Sequence, residues 1–358
     1  MIRQLKTITL QMVAGANVVT ALVMLLVGYS DRVNPAEHPM VACVGLAYPV
    51  FIVLNCCFLL FFAIFKWRYV VVPVLAFAVS YFPTRNYCPL NISADIPMGA
   101  IKVLSYNVHH FGADQLPDDS PNPIVDYIIG NDADIVCLQE AFMRPRERER
   151  LCKVYEYCDT AVASGVGECL ALFSHYPIID KQRIDYVSKG NMSVAYRLKV
   201  DGDTVVVVNN HFETSGLSLA DRAEFRQMVK GKVERSEMKA ESKQLVVKLA
   251  ESAKIRAPQA EAVAEYVRKA GDNVILCGDF NDSPISYTHH TIAKELTDCY
   301  VATANGPGIS YHLSGFYVRI DNIMCTPDWK PYGCTVDSKV KSSDHYPIYC
   351  WLQKQRKH

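Results

Sequence analysis

Short apolar runs ending on polar side chains punctuate residues 100–358. Residues 101–107 (IKVLSYN) alternate at period two and close on the amide of Asn107, and residues 134–140 (DIVCLQE) run apolar and close on Glu140. Alternation predicts a strand buried on one face, and an unbroken apolar run predicts one buried on both. The same reading gives strands at 168–175 (ECLALFSH), 193–200 (SVAYRLKV), 204–211 (TVVVVNNH), 274–278 (VILCG), 317–326 (YVRIDNIMCT) and the apolar end of 342–350 (SSDHYPIYC). Short helices are expected near Ile124–Gly130 and from Arg144. Between His211 and Val274 the spacing turns helical. A charged excursion over about 217–250 carries Phe225, Met228, Leu245 and Leu249, and a second helix is expected from Ala257 to Ala270. The excursion could cover the site, mediate dimer contacts or pack on the outside, and the last is the expectation. Strands with few helices between them imply two sheets packed face to face with helices outside, an α+β arrangement.

The first hundred residues follow another pattern. Ile8–Tyr29 and Pro39–Phe65 are uncharged stretches long enough to cross a bilayer, and a shorter third runs from Tyr69 to about Phe82. A cleaved signal peptide accounts for the first alone. The near absence of charge over so many residues argues against a buried helical hairpin. The expected division is therefore a membrane region with about three transmembrane helices (1–83), a proline-rich linker (84–100) and a soluble domain (101–358). Arg3 and Lys6 precede the first span and Lys66 and Arg68 follow the second, whereas the loop from Ser30 to His38 carries only Arg32. The positive-inside rule places the N-terminus in the cytoplasm and, after three spans, the soluble domain outside it; with only two spans the domain faces the cytoplasm. A multi-pass protein of a bacterial inner membrane is the expected setting.

Charge narrows the partners. Of 37 basic and 37 acidic side chains, residues 1–99 hold six (Arg3, Lys6, Arg32, Lys66, Arg68, Arg85) and three (Asp31, Glu37, Asp95), leaving 31 and 34, a net of −3, for the rest. A grip on long nucleic acid usually shows a basic excess. The 13 cysteines show no zinc spacing, and Cys152, Cys158 and Cys169, or Cys325 and Cys334, could bridge in an oxidising compartment.

The strand ends collect Asn107, Glu140, His211, Asp279, Asn281, Asp321, Asp344 and His345. Carboxylates converging on one cleft need a cation between them, and oxygen ligands without a cysteine cluster favour magnesium or manganese. An ion of that kind, carboxylates that orient water and histidines that serve phosphate oxygens form equipment for hydrolysing a phosphate ester.

Six segments in order, SYNV (105–108), LQE (138–140), NNH (209–211), GDFND (278–282), RIDNI (319–323) and SDH (343–345), resemble the endonuclease/exonuclease/phosphatase superfamily (deoxyribonuclease I-like) from about Ile101 to Leu352. The resemblance implies a four-layer α/β/β/α sandwich with two mixed sheets. It implies that Glu140, with Asn107 and Asp344, binds metal. Asp279 and Asn281 would orient or activate water, His345 held by Asp321 would contact the scissile phosphate, and His211 would assist the leaving group. Asn209, His175 (where many members carry arginine), Tyr311 and Phe316 are the expected substrate contacts, whereas His109, His110, His289 and His290 receive no role. The implied function is a membrane-anchored, divalent-metal-dependent phosphodiesterase. A nuclease is the default, and a lipid head-group phosphodiesterase or phosphatase is the alternative. A non-catalytic binding module is the competing class, disfavoured because no central residue is missing. The expected partners are nucleic acid or a lipid head group, and the bilayer; no protein partner is predictable.

Overall fold

The computed structural model describes residues 2–112, 120–163, 168–230, 235–313 and 315–355. The composition of residues 112–123 predicts a polar proline- and aspartate-rich loop, which lies mostly outside the described residues. Two six-stranded sheets form the body. The strands in chain order are β1 (Ile101–Asn107), β2 (Ile135–Gln139), β3 (Tyr157–Val162), β4 (Cys169–Ser174), β5 (Ile178–Ile184), β6 (Met192–Val200), β7 (Asp203–His211), β8 (Val274–Asp279), β9 (Thr297–Asp298), β10 (Asp321–Cys325), β11 (Trp329–Val336) and β12 (Ile348–Lys354). One sheet runs β11-β12-β1-β2-β4-β3 and the other β5-β6-β7-β8-β10-β9. Both are mixed, because β1 pairs with β2 and β7 with β8 in parallel while the other pairs are antiparallel.

Period-two alternation builds the layers. Val103, Ile135, Cys137, Val205, Val207, Ile275 and Cys277 point between the sheets. Their neighbours Leu104, Val136 and Leu138 face the helices Pro123–Asn131 and Pro145–Val154. On the other side Val206, Val208, Val274 and Leu276 face the helices Arg235–Ala270 and Tyr287–Ala293. The result is helix, sheet, sheet, helix. The helix expected from Ala257 does not stand alone. It is the second half of one helix of 36 residues that continues through Pro258, held by the buried stripe Ala253, Ala257, Ala260, Val263, Ala264 and Val267.

The N-terminal helices Ile2–Gly28 and Tyr48–Phe65 pack on each other and on Val71–Val79. Gln4–Arg32 and Pro39–Phe65 are long and apolar enough to cross a membrane, and only 17% of the most apolar window of each is buried. The third segment breaks at Ser80 into Val71–Val79 and Tyr81–Tyr87. It still returns the chain to the level of Gly28 and Tyr48. The Tyr29 hydroxyl donates to the Val79 carbonyl at 2.9 Å, and the Tyr48 and Thr84 hydroxyls lie 2.7 Å apart.

That end of the helices is seated on the sheets. Asp31 pairs with His290 at 3.3 Å, and Arg85 and Asn91 donate to the Val301 carbonyl at 3.2 and 3.1 Å. Gly45 is pressed so closely against Ile285 that a Cβ there would stand 2.1 Å from the Ile285 carbonyl oxygen. Only glycine permits that seam. The turn carrying Lys66 and Arg68 follows Tyr48–Phe65, 18 residues or roughly 27 Å along the helix from this contact.

Candidate active site

Strand register gathers the polar set. The parallel pairs end together, Asn107 opposite Gln139 and His211 opposite Asp279. Antiparallel β10 begins where β8 ends, with Asp321 opposite Asp279. Asn107 then touches both sheets' carboxylates: its Nδ2 donates to Glu140 Oε1 and to Asp279 Oδ2, each at 3.1 Å. Glu140 and Asn281 hold φ of 52° and 50°, left-handed values unusual for side-chain-bearing residues and often found where geometry is imposed by a site. Gly278 at φ 137° lets β8 approach β7, since a Cβ there would meet the Asn210 carbonyl oxygen at 2.0 Å.

Two imidazoles flank Asp279. His345 Nδ1 lies 2.8 Å from Asp321 Oδ2, and its Nε2 lies 3.6 Å from Asp279 Oδ2. His211 Nε2 is also 3.6 Å from Asp279 Oδ2 and 4.0 Å from Glu140 Oε1, while its Nδ1 is 3.1 Å from Glu168 Oε2. The Glu168 contact is a charge contact, because among the described residues neither atom finds a well-aligned hydrogen-bond partner.

Burial alone would drive both imidazoles down. For His345, Asp321 and Asp279 outweigh it and hold the ring at about 10; for His211, Glu168 with Asp279 and Glu140 holds it at about 9. Burial first and Asp321 second push Asp279 up to about 6 against the pull of the two imidazoles. For half-buried Glu168 desolvation acts upward, yet His211 holds it below its ordinary value.

The cluster offers two ligand groups, Glu140 with Glu168 and His211, and Asp279 with Asp321 and His345, each with one atom per residue within 4.8 Å of the others. Four carboxylates stand against two imidazolium rings, an excess of about two negative charges that suits one divalent cation. Among the described residues, Asp321 Oδ1 and both His211 nitrogens have no well-aligned hydrogen-bond partner although buried. The residues present therefore fit magnesium or manganese.

Asp279, Asn281, Asp344 and His345 line one pocket with Glu140, Tyr311 and Phe316. Tyr311 meets His345 edge-on at 5.0 Å between ring centres. Asp344 lines the pocket outside both ligand groups. The roof comes from two elements. Ala42, Cys43 and Leu46 belong to the connection between the first two helices, Arg222 and Leu249 belong to the helical excursion, and Ala253 and Arg256 follow in the same long helix as Leu249. The excursion covers the site instead of packing away from it.

Two expected substrate contacts fall elsewhere. His175 follows β4, which runs antiparallel to β2, so it sits beside Asp134 at the far end of the sheet and stacks on Tyr155. Asn209 is fully buried and its amide is spent in the core: it donates to the Leu138 and Ala171 carbonyls at 3.1 Å and accepts from Gln139 at 2.7 Å. It ties the sheets together. Glu168 and Arg222 enter the site without having been expected. The antiparallel direction that removes His175 from the site brings Glu168, one residue before β4, into it; the sign was an acidic residue heading an apolar run. Arg222 donates to the Tyr311 hydroxyl and, among the described residues, has no carboxylate at ion-pair distance.

A family model described as Endonuclease/Exonuclease/phosphatase family matches residues 104–345, and one described as a domain of unknown function matches residues 10–87. No curated protein matches. Among solved structures, the human Nocturnin catalytic domain with bound sulfate is 14% identical with a TM-score of 0.53, covering 73% of this chain and 96% of that one. D. rerio TDP2 complexed with single-strand DNA product is 15% identical at TM-score 0.49, covering 72% and 100%. Beta toxin from Staphylococcus aureus with bound magnesium is 19% identical at TM-score 0.48, covering 70% and 99%. At these identities the likeness to Nocturnin speaks for the fold.

Proposed function

We propose a specific role for this chain, which belongs to the Endonuclease/Exonuclease/phosphatase family and is a metal-dependent hydrolase of phosphate ester bonds: it is a membrane-anchored phosphodiesterase working outside the cytoplasm. The observation that carries the chemistry is the contact of Asn107 with both Glu140 and Asp279, beside two histidines each backed by a further carboxylate. Glu140, with the Asn107 amide turned to present its oxygen, would hold magnesium or manganese. Bound there, the ion supplies a Lewis acid for a phosphoryl oxygen and charge stabilisation for the leaving alkoxide. Asp279 takes the proton of the attacking water, and its value of about 6 suits a base at neutral pH. The Asp279 carboxylate accepts the Asn281 N–H at 2.7 Å, which fixes the turn from which Asn281 positions that water. His345, kept protonated by Asp321, clamps a phosphoryl oxygen, and His211, backed by Glu168, protonates the leaving group. Arg222 adds a cation at the roof.

Membrane anchoring is supported by the exposed apolar faces of the first two helices and by the return of the third segment to the docked end. Lys66 and Arg68 then lie at the opposite end, which supports a cytoplasmic position for that end by the positive-inside rule. This orientation predicts oxidation of Cys152 and Cys158, whose sulfurs lie 2.9 Å apart. Non-reducing peptide mapping of protein from native membranes is expected to find them joined; two free thiols would argue for a cytoplasmic site.

The direct test is hydrolysis of bis-p-nitrophenyl phosphate by the full chain with magnesium, manganese or chelator. Metal-dependent turnover is expected, and turnover unaffected by chelator would remove the mechanism. Proton competition gives a second test. Below about pH 6 Asp279 is neutral, and above it the buried charge needs the ion. The rise in melting temperature produced by magnesium is therefore expected to grow as pH increases through about 6. A shift independent of pH would detach Asp279 from the cation.

A further inference from the structure

A second cavity, about 610 Å³, opens beside the hydrolytic pocket. That volume is in the range of a ligand site, roughly 300–1,000 Å³. Its walls include Leu46, Phe225, Met228, Leu245, Leu249 and Phe316, and among the described residues no lysine, arginine, aspartate or glutamate lines it. Leu46, Leu249 and Phe316 also line the hydrolytic pocket, so the two spaces share a wall. Phe225 of the excursion stacks on Phe316 at 4.1 Å between ring centres and holds that wall together.

The far side of the cavity reaches the membrane helices. Pro49 lies in the first turn of Tyr48–Phe65, and Tyr87 closes the third segment. The connection between the first two helices exposes Met40, Val41 and Val44 at the same level, 48%, 44% and 39% accessible. Side chains of that kind at the end of apolar helices belong at a bilayer surface. An apolar space thus runs from the level of the membrane to Asp279 and His345, roofed by the segment Pro39–Ala47 that the membrane region itself supplies.

Resting on the hydrolase reading, we infer that the substrate is a membrane lipid phosphodiester whose hydrocarbon chain lies in this cavity while its phosphate reaches the metal site. A polynucleotide would bring charged phosphates against walls that hold no cation to meet them. The reaction is plain hydrolysis. Water oxygen bonds to phosphorus, one phosphorus–oxygen ester bond breaks, and the departing alkoxide takes a proton, leaving an alcohol and a phosphomonoester.

The test uses the full chain in nanodiscs with magnesium and a series of alkyl p-nitrophenyl phosphates from methyl to dodecyl, read by release of p-nitrophenolate. The wild type is expected to gain at least about tenfold in kcat/KM along the series, mainly through KM, as methylenes leave water. Leu245→Trp and Met228→Trp fill the cavity without touching the hydrolytic pocket. Each is expected to flatten the series while hydrolysing the methyl ester like the wild type, which also shows that the variant is folded. A flat series in the wild type, or a rise that both variants retain, overturns the lipid assignment and leaves the hydrolase standing. Failure to hydrolyse even the methyl ester with magnesium or manganese removes the hydrolase reading and this inference with it.

Discussion

Asp279→Asn is expected to lower kcat/KM for bis-p-nitrophenyl phosphate by roughly 10²–10⁴-fold, the range a positioned acid or base supplies, with no loss of stability. The two halves have one cause. Asp279 is 1% exposed, and burial together with Asp321 lifts it from 3.8 to about 6. For a carboxylate raised on folding, stability is greatest at low pH and declines as pH rises from the unfolded value toward the folded one. At neutral pH the metal-free fold therefore carries the cost of an ionised Asp279. Asparagine removes that cost, keeps an oxygen for the Asn281 N–H and loses the proton acceptor. Activity and melting temperature are expected to separate, the first collapsing while the second holds or rises. Full activity in the variant would take the base role from Asp279. Joint loss of activity and fold would make the residue structural.

The interior strands were legible because burial writes itself into sequence. β1, β2, β7 and β8 carry apolar side chains on both faces, one facing the other sheet and one facing helices, and each was read from its apolar pattern. The strands left unread are β3, β5, β9 and β11, and these are the four edges of the two sheets. An edge strand is short or polar because it must not recruit another chain. β5 reads IIDKQRI and is mostly exposed, β9 has two residues, and β11 holds a proline and a register shift between Tyr332 and Thr335. Their pairing comes from neighbours that the hydrophobic pattern does not name.

The site divides the same way. Asn107, Glu140, His211 and Asp279 could be found because they end or directly follow strands in two parallel pairs, where one polar residue closes an apolar run. Strand direction, however, is not in that pattern. For antiparallel β4 the site lies at the start, so Glu168 belongs there and His175 does not. Asn209 shows a different limit: in NNH it neighbours a site histidine, but alternation turns it into the core between the sheets. The role of the excursion was hidden because its amphipathic spacing is the same whether its apolar face covers a site or a sheet.

Arg319→Met is expected to destabilise the protein by about 3–5 kcal/mol, the usual cost of breaking a buried charge pair. Arg319 is 1% exposed, and its Nη1 donates to Asp298 Oδ2 at 2.9 Å, while His289 Nε2 lies 2.8 Å from the same oxygen. Burial acts to raise Asp298, yet Arg319 and then His289 hold it far below the usual carboxylate range. A depressed carboxylate contributes stability above its unfolded value of 3.8 and loses it as pH falls through the folded value. The wild type therefore loses this contribution progressively as pH falls below 3.8, and the gap between the two proteins is expected to narrow over that acid range. Unfolding of the full chain in detergent, followed across pH, checks the sign; a gap that widens in acid would contradict it. Asp298→Asn in the same background removes the stranded charge and is expected to recover part of the loss, which a double-mutant cycle measures. Recovery cannot be complete, because Arg319 also donates to the Asn86 carbonyl in the helix Tyr81–Tyr87. The residual loss reports how much of the seating of the N-terminal helices on the sheets passes through this one guanidinium.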